Sequence, residues 1–341
     1  MSQLHRVGLY GVGCFGYAML RHLEQKAGRQ IELRAYDRNE EIRQTLDREH
    51  RHPYHEAAAP LSENVSIVDS VARLMKDLDV LVLAVTSDST REVMEQVAAE
   101  EWSGPLRIVN TAKALDFRTG RRLSEIVADI VLDPPQPMTY AALAGGTIAN
   151  ELLLQDPLGL TLACEYRRTL EMLKDIFASP TMWVETTTDL RGVEFAGAFK
   201  NVIAICAGMA RGLGLPDGSV THLISRMASE VEDLCVNRLG ASPQTFRLGS
   251  QCWGSDLWMS CIGSTRNRRF GELLGKGHSL EEANELMARE HTTIEGVRTL
   301  RVLEVLLRQY PDELRLFAAA EQVILENCPA SMLIEALMQI D

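Results

Sequence analysis

VGLYGVGCFGYAMLRHLEQ, residues 7–25, is the stretch on which the reading of the chain turns. A short apolar run (7–10) meets glycines at 11, 13 and 16 and then an amphipathic run, the pattern of a strand, a tight turn and a helix. Glycines at this spacing permit the turn, the close approach of a pyrophosphate, and the packing of helix on strand. The helix start offers unpaired amides and a positive dipole end to phosphates, so Gly11, Gly13, Cys14, Phe15 and Gly16 are candidate cofactor-binding residues. IELRAY (31–36) reads as the next strand, and Asp37 closes it 21 residues after Gly16, where a ribose-binding carboxylate belongs. Arg38 follows and would serve a 2′-phosphate. Both NAD and NADP therefore stay open, with Asp37 tipping the balance toward NAD. A glycine turn of purely structural use, beside a solvated Asp37, is the alternative.

Outward from this unit the alternation continues. NVSIV (64–68), VLVLAV (80–85), RIVNTA (107–112), TYAALA (139–144), GLTLACEY (159–166) and TMWVET (181–186) are strand-like, with helical periods between them. VLVLAV has no polar alternation and suits a parallel central strand buried on both faces. The expectation is an α/β protein: an N-terminal Rossmann-like doubly wound sheet, followed by an all-helical C-terminal domain. The boundary is placed near 188, giving domains 1–188 and 189–341, because no further buried strand follows Asp189. Ligands of such sheets bind beyond the carboxyl ends of the strands, which draws attention to 86–90, to NTAKALD (110–116) with Lys113, and to AGGTIANE (144–151).

The whole-chain properties narrow the function classes. A chain of 341 residues exceeds one ordinary core. A formal net charge of −12 argues against nucleic acid and anionic membrane as partners. Seven scattered cysteines show no metal-ligand spacing and read as reduced thiols of a cytoplasmic protein. No targeting segment is evident. The longest candidate membrane span, around 202–210, is far short of the about 20 residues required. His50, His52 and His55 flank Pro53 and read as a surface loop, and His222 and His291 as isolated packing or surface residues.

GVEFAGAFKNVIAICAGMARGLG (192–214) places one lysine in an otherwise apolar helical run. Phe195, Phe199, Val202, Cys206, Met209 and Leu213 form a bulky stripe, and Ala196, Gly197, Lys200, Ala204, Ala207, Gly208 and Arg211 a mostly small opposite face. A lysine there needs a partner or a task, unless its stem merely snorkels to the surface. The small face is expected to let the helical domain approach a bound dinucleotide closely. GSDLWMSCIGSTRNRRFGELLGKG (254–277) carries Asp256 in a turn, and Arg266, Arg268 and Arg269 within four residues, a candidate anion site in an acidic chain.

Taken in order, these segments resemble the NAD(P)-dependent glycerol-3-phosphate dehydrogenase family over nearly the whole chain. The 192–214 run is similar to the family's GVELxGALKNVxAIAAGxxxGLG, its most specific signature, and 254–271 resembles GDLxxTCxxxxSRNRRFG. AGGTIANE resembles GPSFAxE, and Ile294–Val297 resembles VEGV. The resemblance implies reversible hydride transfer between NAD(P)H and dihydroxyacetone phosphate to give sn-glycerol 3-phosphate. It implies Lys200 as general acid/base, with Lys113 and Asp256 as further catalytic residues. Asn201, Ser260, Arg266 and Asn267 fall at its substrate site, and Ala149, Arg266 and Glu295 on the cofactor side. The expected partner is a small phosphorylated substrate, and a homodimer without membrane insertion is expected. Where the family has Lys-Gly, Gly-Pro, Gly-Asp and Thr, this chain has Lys113-Ala114, Gly145-Gly146, Ser255-Asp256 and Ser260. These departures leave room for a different phosphorylated hydroxyketone or hydroxy acid. A nucleotide-sensing protein without turnover is the third reading.

Overall fold

The structure is a computed structural model and describes residues 4–55, 59–288 and 294–339. It falls into two compact units. One comprises residues 1–112 and 123–190, the other 113–122 and 191–341. A single cut near 188 thus misses one excursion: ten residues from the middle of the first half pack with the helical unit.

In the first unit, β1 (His5–Tyr10) leads into α1 (Cys14–Leu23), and β2 (Ile31–Tyr36) into α2 (Glu40–Glu49). β3 (Val65–Ile67), α3 (Val71–Met75), β4 (Val80–Leu83), α4 (Ser87–Ala98) and β5 (Leu106–Asn110) follow. Then come α5 (Leu123–Ile130), β6 (Met138–Ala144), α6 (Ala149–Leu153), β7 (Leu158–Ala163), α7 (Arg167–Phe177) and β8 (Met182–Thr187). The strands form one sheet in the order β3-β2-β1-β4-β5-β6-β7-β8. All neighbours run parallel except β6 and β7, which pair antiparallel. Every strand read from the sequence is present.

The two faces of the sheet follow from the period-2 geometry of its strands. On β4, Val80 and Val82 join one core with Val7, Leu9, Leu33 and the inner faces of α1 and α7. Leu81 and Leu83 join the opposite core with Ile108, Leu74, Met94 and Val127. Both faces are covered, as the unbroken apolar run of β4 requires. The strand order reverses between β1 and β4, so the glycine turn after β1 opens at the topological switch point.

The second unit is helical: α8 (Leu190–Gly212), α9 (Asp217–Asn237), α10 (Asp256–Ile262), α11 (Arg266–Gly275), α12 (Leu280–Ala288), α13 (Glu295–Gln309), α14 (Arg315–Leu325) and α15 (Ser331–Met338). α8 has 23 residues, and its most apolar 18-residue window has a mean hydropathy of 1.4, long and apolar enough to cross a membrane, which corrects the shorter count made from the sequence. Its most apolar window is 94% buried within the protein, so a core helix accounts for that composition. Part of its small face is taken up by close contact with α11. A Cβ on Gly208 would lie 2.0 Å from the Arg268 carbonyl oxygen, and one on Gly271 would lie 1.9 Å from that of Ile205. Gly208 of α8 therefore admits the backbone of α11, Gly271 of α11 admits that of α8, and Gly197 faces Lys113.

Candidate active site

Two groups of candidate residues assemble, one in each unit. In the sheet unit, Gly11 has φ +96°, which side-chain-bearing residues rarely adopt, and a Cβ there would lie 2.7 Å from the Ala84 carbonyl oxygen. A Cβ on Gly16 would come within 1.9 Å of the Gly11 carbonyl oxygen. Both glycines are thus demanded by the turn itself. Gly13 is not: it is exposed and faces open space, with nothing within 4 Å of a Cβ built there. It is the N-cap of α1 and has no side chain to cap the helix, and the start of a helix is where backbone amides can receive an anionic ligand. Cys14 is exposed and Phe15 half-buried beside it.

Asp37 is 9% exposed, and its carboxylate accepts from the Val12 amide at 2.6 Å and the Asn39 amide at 2.8 Å. Each carboxylate oxygen can still accept a second hydrogen bond, so a ribose hydroxyl is compatible with this arrangement. Arg38 is largely exposed and only loosely paired with Glu92 at 3.8 Å, which keeps a 2′-phosphate compatible as well. Ala149 opens α6 at the carboxyl end of β6. Two residues earlier, Thr147 is buried and its hydroxyl has no hydrogen-bond partner among the described residues. An orphaned hydroxyl and an uncapped, open helix start at the strand ends fit a dinucleotide.

In the helical unit the centre is Asp256, fully buried. It follows a π-turn over Gln251–Ser255 and is the first residue of α10. One carboxylate oxygen accepts from the Lys200 ammonium at 2.7 Å, the other from the Lys113 ammonium at 3.0 Å. Lys200 also donates to the Ser260 hydroxyl at 3.0 Å. Burial alone would raise the Asp256 pKa, but the charges and hydrogen bonds of Lys113 and Lys200 outweigh it and hold it below the ordinary carboxylate value. For Lys113 the balance goes the other way. Burial pushes its pKa down, assisted by the charge of Lys200, while Asp256 and Glu295 oppose the shift.

These side chains are set by further contacts within the unit. The Asn201 amide donates to the Lys113 carbonyl at 3.2 Å and accepts from the Asn267 side chain at 3.0 Å. Asn267 in turn accepts from the Gly296 amide at 3.1 Å, in the first turn of α13 next to Glu295. The segment 113–122 is tied down by Leu115 in the helical core and by a partly buried Arg122–Glu194 pair at 3.3 Å. Sequence reasoning did not find this pair, since nothing in its spacing links residue 122 to residue 194.

The arginine knot comes apart. Arg268 donates to the Gly263 carbonyl and pairs with Glu272, a structural use, whereas Arg266 is exposed at the start of α11. The histidine loop also differs from its reading. His52 is 2% exposed and packs on the glycine turn through a 2.7 Å bond to the Val12 carbonyl. His291 lies outside the described residues.

The cluster can do specific chemistry. An ammonium has three protons, and Lys200 commits two, to Asp256 and Ser260, leaving one for a substrate oxygen. Two ammoniums against one carboxylate leave a net positive charge in a buried setting, which stabilises negative charge building on that oxygen.

Comparison with known proteins bears on both units. Residues 6–170 match the family model of the NAD-dependent glycerol-3-phosphate dehydrogenase N-terminus, and residues 189–335 that of its C-terminus. The glycerol-3-phosphate dehydrogenase [NAD(P)+] of Desulfitobacterium hafniense is 32% identical over 339 residues, covering 98% of this chain and 91% of that protein. That of Syntrophomonas wolfei is 31% identical, covering 98% and 94%. Among solved structures, the glycerol-3-phosphate dehydrogenase of Coxiella burnetii superposes with a TM-score of 0.84 at 22% identity, over 98% of this chain and 99% of that one. The Plasmodium falciparum enzyme gives 0.88 at 18% identity, over 99% and 96%. These two show the same fold. Matched by family models over both units and by curated relatives along nearly its full length, the chain belongs to the NAD-dependent glycerol-3-phosphate dehydrogenase family.

Proposed function

We propose that the protein is an NAD(P)-dependent glycerol-3-phosphate dehydrogenase, reversibly reducing dihydroxyacetone phosphate to sn-glycerol 3-phosphate. The observation that carries this reading is the buried Lys113–Asp256–Lys200 cluster in a chain of this family. The sheet unit is the dinucleotide-binding part: the glycine turn and the start of α1 hold the pyrophosphate, and Asp37 or Arg38 meets the adenosine ribose. The nicotinamide, when bound, supplies or takes the hydride at the substrate's C2.

The chain's residues do the rest. Lys200 donates its remaining proton to the carbonyl oxygen as negative charge builds there, and takes it back in the reverse direction. Lys113 adds a second positive charge, and Asp256 keeps both ammoniums in place. Asn201, Ser260 and Asn267 orient these groups and the substrate hydroxyl. Arg266 binds the remote phosphate, which converts binding energy into orientation of the reacting end.

The same reading includes a cytoplasmic homodimer. None of the seven cysteines forms a disulfide, which suits a reducing compartment. Exposed Leu248, Trp258 and Ile262 offer an apolar face for a second copy, which light scattering would test. The activity is tested by following NADH and NADPH absorbance with dihydroxyacetone phosphate and, in parallel, with other phosphorylated hydroxyketones. Oxidation of either cofactor by dihydroxyacetone phosphate is expected. Faster turnover of another ketone would reassign the substrate, and no oxidation with any of them would remove the activity.

A further inference from the structure

Described residues of the loop that follows α2 are stitched to α1. The Tyr17 hydroxyl donates to the Ala59 carbonyl at 2.8 Å, and Arg21 to the Pro60 carbonyl at 2.9 Å. The Leu61 amide bonds back to His50 at 2.7 Å, and the Ser62 amide donates to Glu24 at 2.6 Å. This stitching brings one imidazole, His52, against the glycine turn. Its ring lies 5.4 Å from that of Tyr17 and 4.5 Å from that of His55, centroid to centroid.

Val12 is the residue between Gly11 and Gly13, and both of its peptide groups are pinned. Its N–H donates to Asp37 at 2.6 Å, and its carbonyl accepts from His52 Nε2 at 2.7 Å. Flanking glycines give a peptide plane little steric preference of its own, so such external bonds decide its orientation. In a trans peptide the carbonyl and the next N–H point in opposite directions. Holding the Val12 carbonyl therefore aims the Gly13 amide, the group at the open start of α1. The ring is suited to hold this pose in one form only. Its Nδ1 accepts from the Tyr54 amide at 3.1 Å, so Nε2 carries the proton, and both bonds are satisfied by the neutral Nε2–H tautomer. Burial, first, and the neighbouring His55 lower the His52 pKa, and these outweigh the opposing Val12 bond and Asp37 charge, keeping the ring neutral.

We propose that His52 is a positioning residue for the dinucleotide: by holding the Val12 carbonyl it fixes the glycine turn in the shape that receives the pyrophosphate. This rests on the reading of that turn as the dinucleotide site. The test is a fluorescence titration with NADH or NADPH, whichever the wild type uses, together with steady-state kinetics on His52→Leu, His52→Gln and His52→Asn. His52→Leu is expected to raise the Kd and KM of the dinucleotide about tenfold, with kcat at saturation and the KM of dihydroxyacetone phosphate within about twofold. His52→Gln, whose terminal N–H reaches the position of Nε2, is expected to recover most of the loss. His52→Asn, which matches only Nδ1, is expected not to. Should the leucine variant fail to fold, the glutamine and asparagine pair decides alone. Wild-type affinity in the leucine variant, or equal behaviour of Gln and Asn, would overturn the role of His52. A wild-type protein that binds neither dinucleotide would overturn the reading of the turn itself, and this role with it.

Discussion

The glycine turn after β1 is made almost wholly of backbone, whereas the Lys113–Asp256–Lys200 cluster is made of side chains drawn from three places in the chain. The turn is compact in sequence, with Gly11 and Gly16 required by contacts of under 3 Å and Gly13 left open. The cluster spans 143 residues between Lys113 and Asp256 and is closed to solvent at its carboxylate. A backbone site depends on what is absent, namely side chains that would fill the space. A side-chain site depends on charges that would be costly in isolation and are tolerable only together. Substitutions should therefore fail in different ways at the two sites.

The largest effect on stability is expected at the shared carboxylate. Asp256→Asn removes the carboxylate that the Lys113 and Lys200 ammoniums share, and removing one partner of a buried pair costs about 3–5 kcal/mol. Thermal or denaturant unfolding should show a loss of that order, together with a fall in turnover of about 10²-fold or more. An asparagine variant of unchanged stability would mean that the two lysines do not depend on Asp256. Next is Arg266→Ala, which should raise the KM of dihydroxyacetone phosphate about 10- to 100-fold, as expected for loss of charge-assisted hydrogen bonds. An unchanged KM would remove Arg266 from the phosphate site.

The glycine turn separates folding from binding. Gly16→Ala drives a methyl group into the Gly11 carbonyl and should cost about 1–3 kcal/mol of stability along with dinucleotide affinity. Gly13→Ala meets no atom of the protein. It should leave stability within about 0.5 kcal/mol yet still weaken dinucleotide binding. If Gly13→Ala binds NADH as the wild type does, the pyrophosphate does not approach at Gly13.

The smallest effect lies away from both sites. Glu230 on α9 accepts from the Leu316 amide at 3.0 and 3.1 Å, in the first turn of α14. Burial pushes its pKa up to about 7 from 4.5, against the opposing pull of the Leu316 and Phe317 amides and of Arg226 and Arg315. The fold thus favours the protonated form, so this contribution is full below pH about 4.5 and is lost as pH rises through about 7. Glu230→Gln should flatten that part of the stability profile, which unfolding at a series of pH values would show.

The same contrast explains how much could be read from the residues. The eight strands and the glycine turn were legible because their signals are local: apolar runs of strand length, and glycines at fixed spacing. Lys200 was conspicuous as a charge in an apolar helix, and its candidacy followed from the cost of burying it. What it touches was not legible from spacing, since Asp256 and Ser260 are set by a π-turn and by α10, 56 and 60 residues away. The assignment of 113–122 to the helical unit, and the Arg122–Glu194 pair, depend on tertiary packing alone. His52 looked like a loop residue because its partner is a backbone carbonyl 40 positions away, which leaves no mark in the sequence.

The central claim is that Lys200 moves the proton that accompanies hydride transfer. Its most direct test is single-turnover oxidation of NADH by dihydroxyacetone phosphate in the wild type and in Lys200→Ala, with NADH affinity measured on the same samples. The expected result is a rate lower by about 10³-fold or more with NADH affinity within about twofold. A rate within about tenfold of the wild type would contradict the account.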